Sequence, residues 1–281
     1  MIINESEFDR MKAYHLILRY HGAGFWSIFN KLMNYLQHYD PIYKITWDVV
    51  YPFDCYGVGE VMGRIFEPYE DPAYASYEIE EVICDSYMNE ILTGKQAANL
   101  YTEQSREENN IPETWRNDLN ALWTQHIRIK GPVLERFTQF KEFVESMEKK
   151  TIICMLIRHP ALSYEQPNGK MPDFEQYDEV ISKISPSLDN TLIICMTDLQ
   201  EAYDYFSEKY GDTILFPPTD RSSKKSDEAH FIKNGDESSA MNALFVALNL
   251  SIGQHFIHHT SNISTAVLYI NPTIQGHFVV G

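Results

Sequence analysis

Arg158-His159, Thr197-Asp198, Pro217-Pro-Thr-Asp-Arg221 and His259-Thr-Ser-Asn-Ile-Ser264 each follow an apolar or extended run, and together they could grip a diphosphate without a metal ion. An arginine offers a planar, permanently charged fork that matches phosphate oxygens with two parallel hydrogen bonds. Thr260, Ser261, Asn262 and Ser264 stand where a helix is predicted to begin. Hydroxyls and unpaired backbone N–H groups at such a start make a second anion cradle, reinforced by the helix dipole. Asp198 could accept from ribose hydroxyls or from a base edge, and Arg221 and His159 fall at the same set of chain positions. A purely structural alternative stands beside this one: Asp198 and Ser261 each precede a predicted helix and would cap it. Capping does not account for Arg158, which follows a wholly apolar run, and the combined pattern points to a nucleotide site.

The elements that must position these groups alternate regularly. Thr151–Ile157 and Thr191–Met196 are continuous apolar runs, the pattern of strands covered on both faces of a parallel sheet. Helical spacing is predicted over Asp173–Ile184, Leu199–Tyr210, Ser238–Leu250 and from Ser261 onward, with further strands at Asp212–Phe216 and Gln254–His258. This βα alternation predicts a doubly wound sheet, in which ligands bind at the carboxyl ends of the strands. The four polar groups are those ends.

Upstream, Tyr14–Tyr20 reads as a strand, His21-Gly22-Ala23-Gly24 as a glycine turn, Phe25–Tyr39 as a helix and Ile42–Tyr51 as extended chain. From Asn89 to Lys149 the pattern is helical, and its last helix is expected to bury Leu134, Phe137, Phe140, Val144 and Met147. The change of texture near residue 150 predicts two α/β domains, 1–149 with a helical insert and 150–281 as the nucleotide-binding unit.

Composition narrows the functions available. The 281 residues carry a formal net charge of −17, with 44% hydrophobic and 22% charged residues. A general nucleic-acid or anionic-membrane surface needs a basic footprint, which this balance opposes. The cysteines Cys55, Cys84, Cys154 and Cys195 are widely spaced, and two lie inside apolar strands, as expected of reduced thiols in a cytoplasmic protein. No apolar run approaches the ~18 residues of a membrane span. No Asp-x-Asp occurs. His255, His258 and His259 are a poor metal set, because neighbouring strand residues face opposite ways. No metal and no cofactor are therefore expected.

Ile157-Arg158-His159, Leu192-Ile-Ile-Cys-Met-Thr197-Asp198 and His259-Thr-Ser-Asn-Ile-Ser264 resemble the three C-terminal motifs of the fucosyltransferase superfamily that contains the nodulation α1,6-fucosyltransferase and the protein O-fucosyltransferases. His21–Phe25 is similar to the N-terminal glycine loop of that superfamily. The resemblance implies a GT-B-like α/β fold of two Rossmann-like domains facing a cleft, and inverting, metal-independent transfer from GDP-fucose to a hydroxyl of a glycan or other acceptor. Carried onto this chain, it makes Arg158 the residue on the donor's β-phosphate and places His159, Asp198, Ser261 and Ser264 around the substrates; Gly22, Gly24, Arg221, Asn242, Thr260 and Asn262 complete the expected substrate-binding set. His21 is the available base for the acceptor's proton, since a histidine titrates near neutral pH. Two positions depart from the pattern: Asn242 stands where relatives carry an aspartate, and Ala23 where some carry a glutamate. These departures leave two rival readings, a transferase using another nucleotide sugar and an inactive module that binds a nucleotide sugar or glycan.

Overall fold

The computed structural model describes residues 12–19, 25–39, 44–50, 66, 78–84, 112–165, 169–219, 221–223 and 237–281. In chain order the elements are β1 (Lys12–Arg19), α1 (Phe25–Tyr39), β2 (Lys44–Val50), β3 (Glu78–Cys84), α2 (Glu113–His126), α3 (Gly131–Ser146), β4 (Thr151–Ile157), α4 (Phe174–Ile184), β5 (Thr191–Thr197), α5 (Gln200–Tyr210), β6 (Ile214–Leu215), α6 (Glu237–Leu250), β7 (His255–His258), α7 (Asn262–Ile270) and β8 (Gln275–Phe278). The strands form two separate sheets, β2-β1-β3 and β6-β5-β4-β7-β8, and every pairing is parallel.

The larger sheet explains its own sequence. Ile153, Met155, Ile157, Ile193 and Cys195 pack against Tyr177 and Ile181 of α4 and Ala202 and Phe206 of α5. Their neighbours Cys154, Leu156, Leu192, Ile194 and Met196 face the other way, in one cluster with Leu244 and Leu248 of α6 and Ala266 and Val267 of α7. Both faces are covered, so β4 and β5 are apolar between their terminal residues. The strand order sends the chain from β4 outward through β5 to β6, then back to the far side of β4 through β7 to β8. The strand order reverses between β4 and β7, and doubly wound sheets bind ligands at the carboxyl ends beside such a switch point.

Helices from the first half complete that second face. Phe25, Trp26 and Phe29 of α1 stack among Phe66 and Trp123, and Trp123 meets Tyr269 of α7 at 5.8 Å between ring centroids. Polar bonds fix the arrangement: Trp26 Nε1 donates to the Ala243 carbonyl at 2.8 Å, and Asn30 Nδ2 donates to the Asn262 carbonyl at 3.1 Å. Tyr269 donates its hydroxyl to Asn30 Oδ1 at 3.2 Å. The apolar core thus runs without a break from α1 through α2 to α7.

Three local expectations are corrected. β6 is two residues long instead of Asp212–Phe216, because Gly211–Thr213 forms a 3₁₀ turn and the prolines at 217 and 218 cannot donate to a ladder. On α3, Val133 is buried while Leu134 is 46% exposed, so the inward stripe is rotated by one residue at its start. Strands β3 and β8 were not predicted; their sequences, EIEEVIC and QGHF, lack the apolar run that marks a covered strand. Among the described residues, no helix is long and apolar enough to cross a membrane.

Gly253, which turns the chain from α6 into β7, has no room for a side chain. A Cβ there would meet Cys154 Sγ at 2.8 Å, the Ile152 carbonyl oxygen at 3.0 Å and the His255 carbonyl oxygen at 3.1 Å. Two of these atoms are backbone and cannot swing aside. Gly253→Ala is expected to destabilise the fold by about 1–3 kcal/mol, the usual range for overpacking, read as a lower urea midpoint with an unchanged slope.

Candidate active site

β4 ends where polar residues and Pro160 follow Ile157, and the chain passes into the 3₁₀ turn Pro160–Glu165. A proline suits the first position of such a turn, since its missing N–H has no partner there in any case. Arg158 and His159 lie in this corner. At the next strand, Thr197 Oγ1 accepts from the Leu199 N–H at 3.1 Å, a side-chain turn that bends the chain into α5 and leaves Asp198 at the sheet's end. Ile157 and Thr197 are register partners, so Arg158 and Asp198 emerge side by side.

The two side chains are bonded. Arg158 Nε donates to Asp198 Oδ2 at 3.0 Å, with the side chains 12% and 14% exposed. One carboxylate oxygen thereby fixes the plane of the guanidinium. The other, Asp198 Oδ1, is buried and has no hydrogen-bond partner among the described residues, as is true of Arg221 Nε. Buried polar atoms left unpaired are costly and few in native proteins. Here an acceptor and a donor of this kind flank one backbone contact, the Ser222 N–H donating to the Asp198 carbonyl at 2.8 Å. Arg221 itself lies over the Tyr203 ring at 4.4 Å and near the Phe216 ring at 5.8 Å, contacts that favour the cation over the ring faces. Tyr203 and Phe216, themselves 4.7 Å apart, were not among the residues expected at the site. Nothing in their sequence context marks them, because their role depends on a chain crossing.

On the other side of β4, His259 and Thr260 continue from β7. His259 is fully buried, its Nδ1–H donates to the Thr260 carbonyl at 3.1 Å, and burial, with a smaller contribution from Arg158, lowers its pKa to about 3. The imidazole is therefore neutral and adds no second cation beside Arg158.

The α7 start shows how capping and binding compete for the same groups. Ser261 is the N-cap, and its Oγ accepts from the Ser264 N–H at 3.0 Å. The two serine hydroxyls are 2.9 Å apart, and Ser264 Oγ donates to the His259 carbonyl at 2.8 Å. Both hydroxyls thus serve the backbone, as the capping alternative supposed for Ser261. Asp198 is not a cap; that position of α5 is Leu199, with no side-chain bond. Asn262 faces α1, where its Oδ1 accepts from Asn30 Nδ2 at 3.2 Å. Asn242 stands apart from this cluster: its Oδ1 accepts from Arg136 Nη1 of α3 at 3.0 Å, and the Arg136 guanidinium lies 3.9 Å from the centre of the Phe245 ring. His21, Gly22, Ala23 and Gly24 lie outside the described residues.

The strand histidines are arranged for packing. His255 Nδ1 and His277 Nε2 are 3.1 Å apart across the β7–β8 pairing, while His258 stacks on Phe256 at 4.8 Å. Among the described residues no group of three or more His, Cys, Asp or Glu side chains could hold a metal ion. Cys154 and Cys195 are free and buried, and burial pushes the Cys154 thiol up to about 12 and that of Cys195 higher still. Such thiols are not nucleophiles near neutral pH.

No protein-family model and no curated protein sequence matches this chain. Solved structures do. The fucosyltransferase NodZ from Bradyrhizobium is similar over 92% of this chain and 91% of its own, at a TM-score of 0.52 and 16% identity. The chain has a GT-B fold. More distant likenesses are FUT1 of Arabidopsis thaliana in complex with GDP, with a TM-score of 0.47 and 10% identity over 95% of this chain and 70% of that one, and POFUT1 in complex with GDP, with 0.46 and 10% over 97% and 99%. In this GT-B chain the arginine–aspartate pair stands at the β4 and β5 ends, next to the switch point in the strand order.

Proposed function

We propose that this chain is a glycosyltransferase that moves a sugar, fucose in the leading form of the reading, from its GDP conjugate to a hydroxyl of a glycan or other acceptor, with inversion and without a metal. The observation that carries the proposal is the placement of Arg158: a cation at the carboxyl end of the central strand, bonded through Nε to Asp198 and next to the switch point of a GT-B sheet. In this reading residues 150–281 hold the donor, residues 1–149 face the acceptor, and the setting is cytoplasmic. The acceptor oxygen attacks the anomeric carbon as the bond from that carbon to the β-phosphate oxygen breaks. The electron pair leaves with GDP, whose growing charge meets the guanidinium of Arg158. The acceptor's proton passes to a base, for which His21 is proposed. Asp198 Oδ1 and Arg221 Nε, which have no hydrogen-bond partner among the described residues, would give the nucleoside one acceptor and one donor.

The engagement of Asn242 with Arg136 supports a second reading. A position that is acidic in the resembling family is here used between helices, which suits a different nucleotide sugar or a module that binds without turnover. One experiment separates the readings: a thermal-shift panel of GDP, UDP, ADP and CMP with their sugars, followed by donor hydrolysis with and without EDTA. A ligand at a hundred times its Kd stabilises the folded state by about 2.7 kcal/mol, which is a shift of several degrees. GDP and GDP-fucose are expected to give that shift, with slow hydrolysis of GDP-fucose that EDTA leaves intact. A shift by uridine compounds alone overturns the donor assignment, loss of hydrolysis restored by manganese overturns metal independence, and tight binding with no turnover in any acceptor screen favours the module.

A further inference from the structure

His159 is 1% exposed, and both of its ring nitrogens are on backbone groups. Nδ1 accepts from the Ala161 N–H at 3.1 Å, and Nε2 stands 3.0 Å from the Ser223 carbonyl oxygen. Nδ1 thus serves as the acceptor, and Nε2–H is the donor to Ser223, whose carbonyl can only accept. The two contacts belong to different segments. Ala161 is in the turn that follows Arg158, whereas Ser223 is in the short segment that carries Arg221.

That segment is fastened on its other side to the β5–α5 junction. The Ser222 N–H donates to the Asp198 carbonyl at 2.8 Å, the Ser222 carbonyl accepts from the Gln200 N–H at 3.0 Å, and Ser223 Oγ donates to Glu201 Oε1 at 3.1 Å. A closed circuit results. Arg158 reaches Asp198 through side chains, Asp198 reaches Ser222 through the backbone, Ser223 reaches His159 through the ring, and His159 returns to Arg158 through a peptide bond.

We infer that His159 is a positioning residue, a pin that closes this circuit and holds the Arg221-bearing segment at a fixed distance from Arg158 and Asp198. Loss of the ring contact removes a bond that ties residues 221–223 to the end of β4 and leaves the bonds to the β5 side in place, so that the segment can hinge away from β4. The effect of the pin on donor binding rests on the function proposed above; its effect on the 221–223 segment does not.

Amide side chains separate the two ring contacts, because asparagine places its carboxamide near the position of Nδ1 and glutamine extends an amide nitrogen to that of Nε2. In the full chain, His159→Asn keeps the Ala161 contact and loses the one to Ser223. GDP affinity is expected to fall about five- to tenfold, the scale of one buried hydrogen bond, and hydrogen exchange at the Ser222 amide to quicken by at least tenfold. His159→Gln is expected to rescue both. Equal loss of GDP affinity in the two variants with Ser222 exchange unchanged would mean that the imidazole touches the ligand itself, and overturns the pin. If His159→Asn does not fold, His159→Gln alone decides: wild-type exchange and affinity support the pin, whereas wild-type exchange with lost affinity overturns it. If GDP fails to bind even the unmutated protein, the function proposed above fails, and the exchange rates still test the pin.

Discussion

Arg158→Ala is expected to lower turnover by roughly a hundred- to a thousandfold, about 2.7–4 kcal/mol of transition-state stabilisation, with the donor saturating. As the glycosidic bond to the β-phosphate breaks, negative charge grows on the nucleotide, and the proposed reaction has no metal to meet it. A guanidinium held by Asp198 Oδ2 through Nε is oriented before the charge appears, so its terminal nitrogens need not reorganise as the diphosphate leaves. Arg158→Lys should recover only part of the loss, because an ammonium on a flexible stem reproduces neither the bond from Nε nor the paired donors. A purely structural ion pair predicts something else. Breaking it would leave Asp198 partly buried and unpaired and lower the melting temperature, while each folded molecule kept its turnover. Melting temperature and turnover per folded molecule, measured on one preparation, distinguish these outcomes, and a destabilised variant with unchanged turnover ends the catalytic assignment.

The largest expected effect on stability is at Phe256, in the middle of β7. Its side chain is fully buried, its register partners are Cys154 on β4 and Gly276 on β8, and its ring stacks on His258 at 4.8 Å. Removing a buried phenyl ring costs the transfer of its carbons from water and the cavity left behind, together about 3–5 kcal/mol. Phe256→Ala belongs at the upper end of that range, because the site cannot collapse. Gly276 has no side chain to move in, and the space above it is already taken by His258 Nε2 and Leu268 Cδ2, each 3.3 Å from where a Cβ would stand. Against a total stability that is commonly about 5–15 kcal/mol, such a loss should appear as a large fall in the urea midpoint. Phe256→Leu, which keeps most of the volume, should lose much less. Equal losses for alanine and leucine would show that the ring is not packed as described.

Much of this architecture follows from local pattern. Six consecutive apolar residues after Thr151 and five after Thr191 mark strands covered on both faces, and the helical spacing between them suits parallel pairing; the strands are Thr151–Ile157 and Thr191–Thr197. Helix α1 coincides with its predicted span, because a 3.6-residue period over 15 residues leaves little freedom. The same reasoning missed β3 and β8. Edge strands with Glu, Gln or His in alternation carry no signal of their own, and they become strands because a neighbour offers an unpaired ladder.

For the site, the sequence indicated which groups stand near strand ends, whereas the bond between Arg158 and Asp198 follows from the β4–β5 register. Tertiary structure decided what each group does there. The hydroxyls of Ser261 and Ser264 could have faced a ligand or the backbone, and the turn into α7 places them on the backbone. Asn242 finds Arg136 across 106 residues, His159 finds Ser223 across 64, and Arg221 meets the rings of Tyr203 and Phe216. The physical reason is one of range. Periodicity, turns and caps are set by forces acting over a few residues, whereas the partner of a side chain at a strand end depends on strand order and on which loop crosses that end, and these are fixed only when the whole core closes.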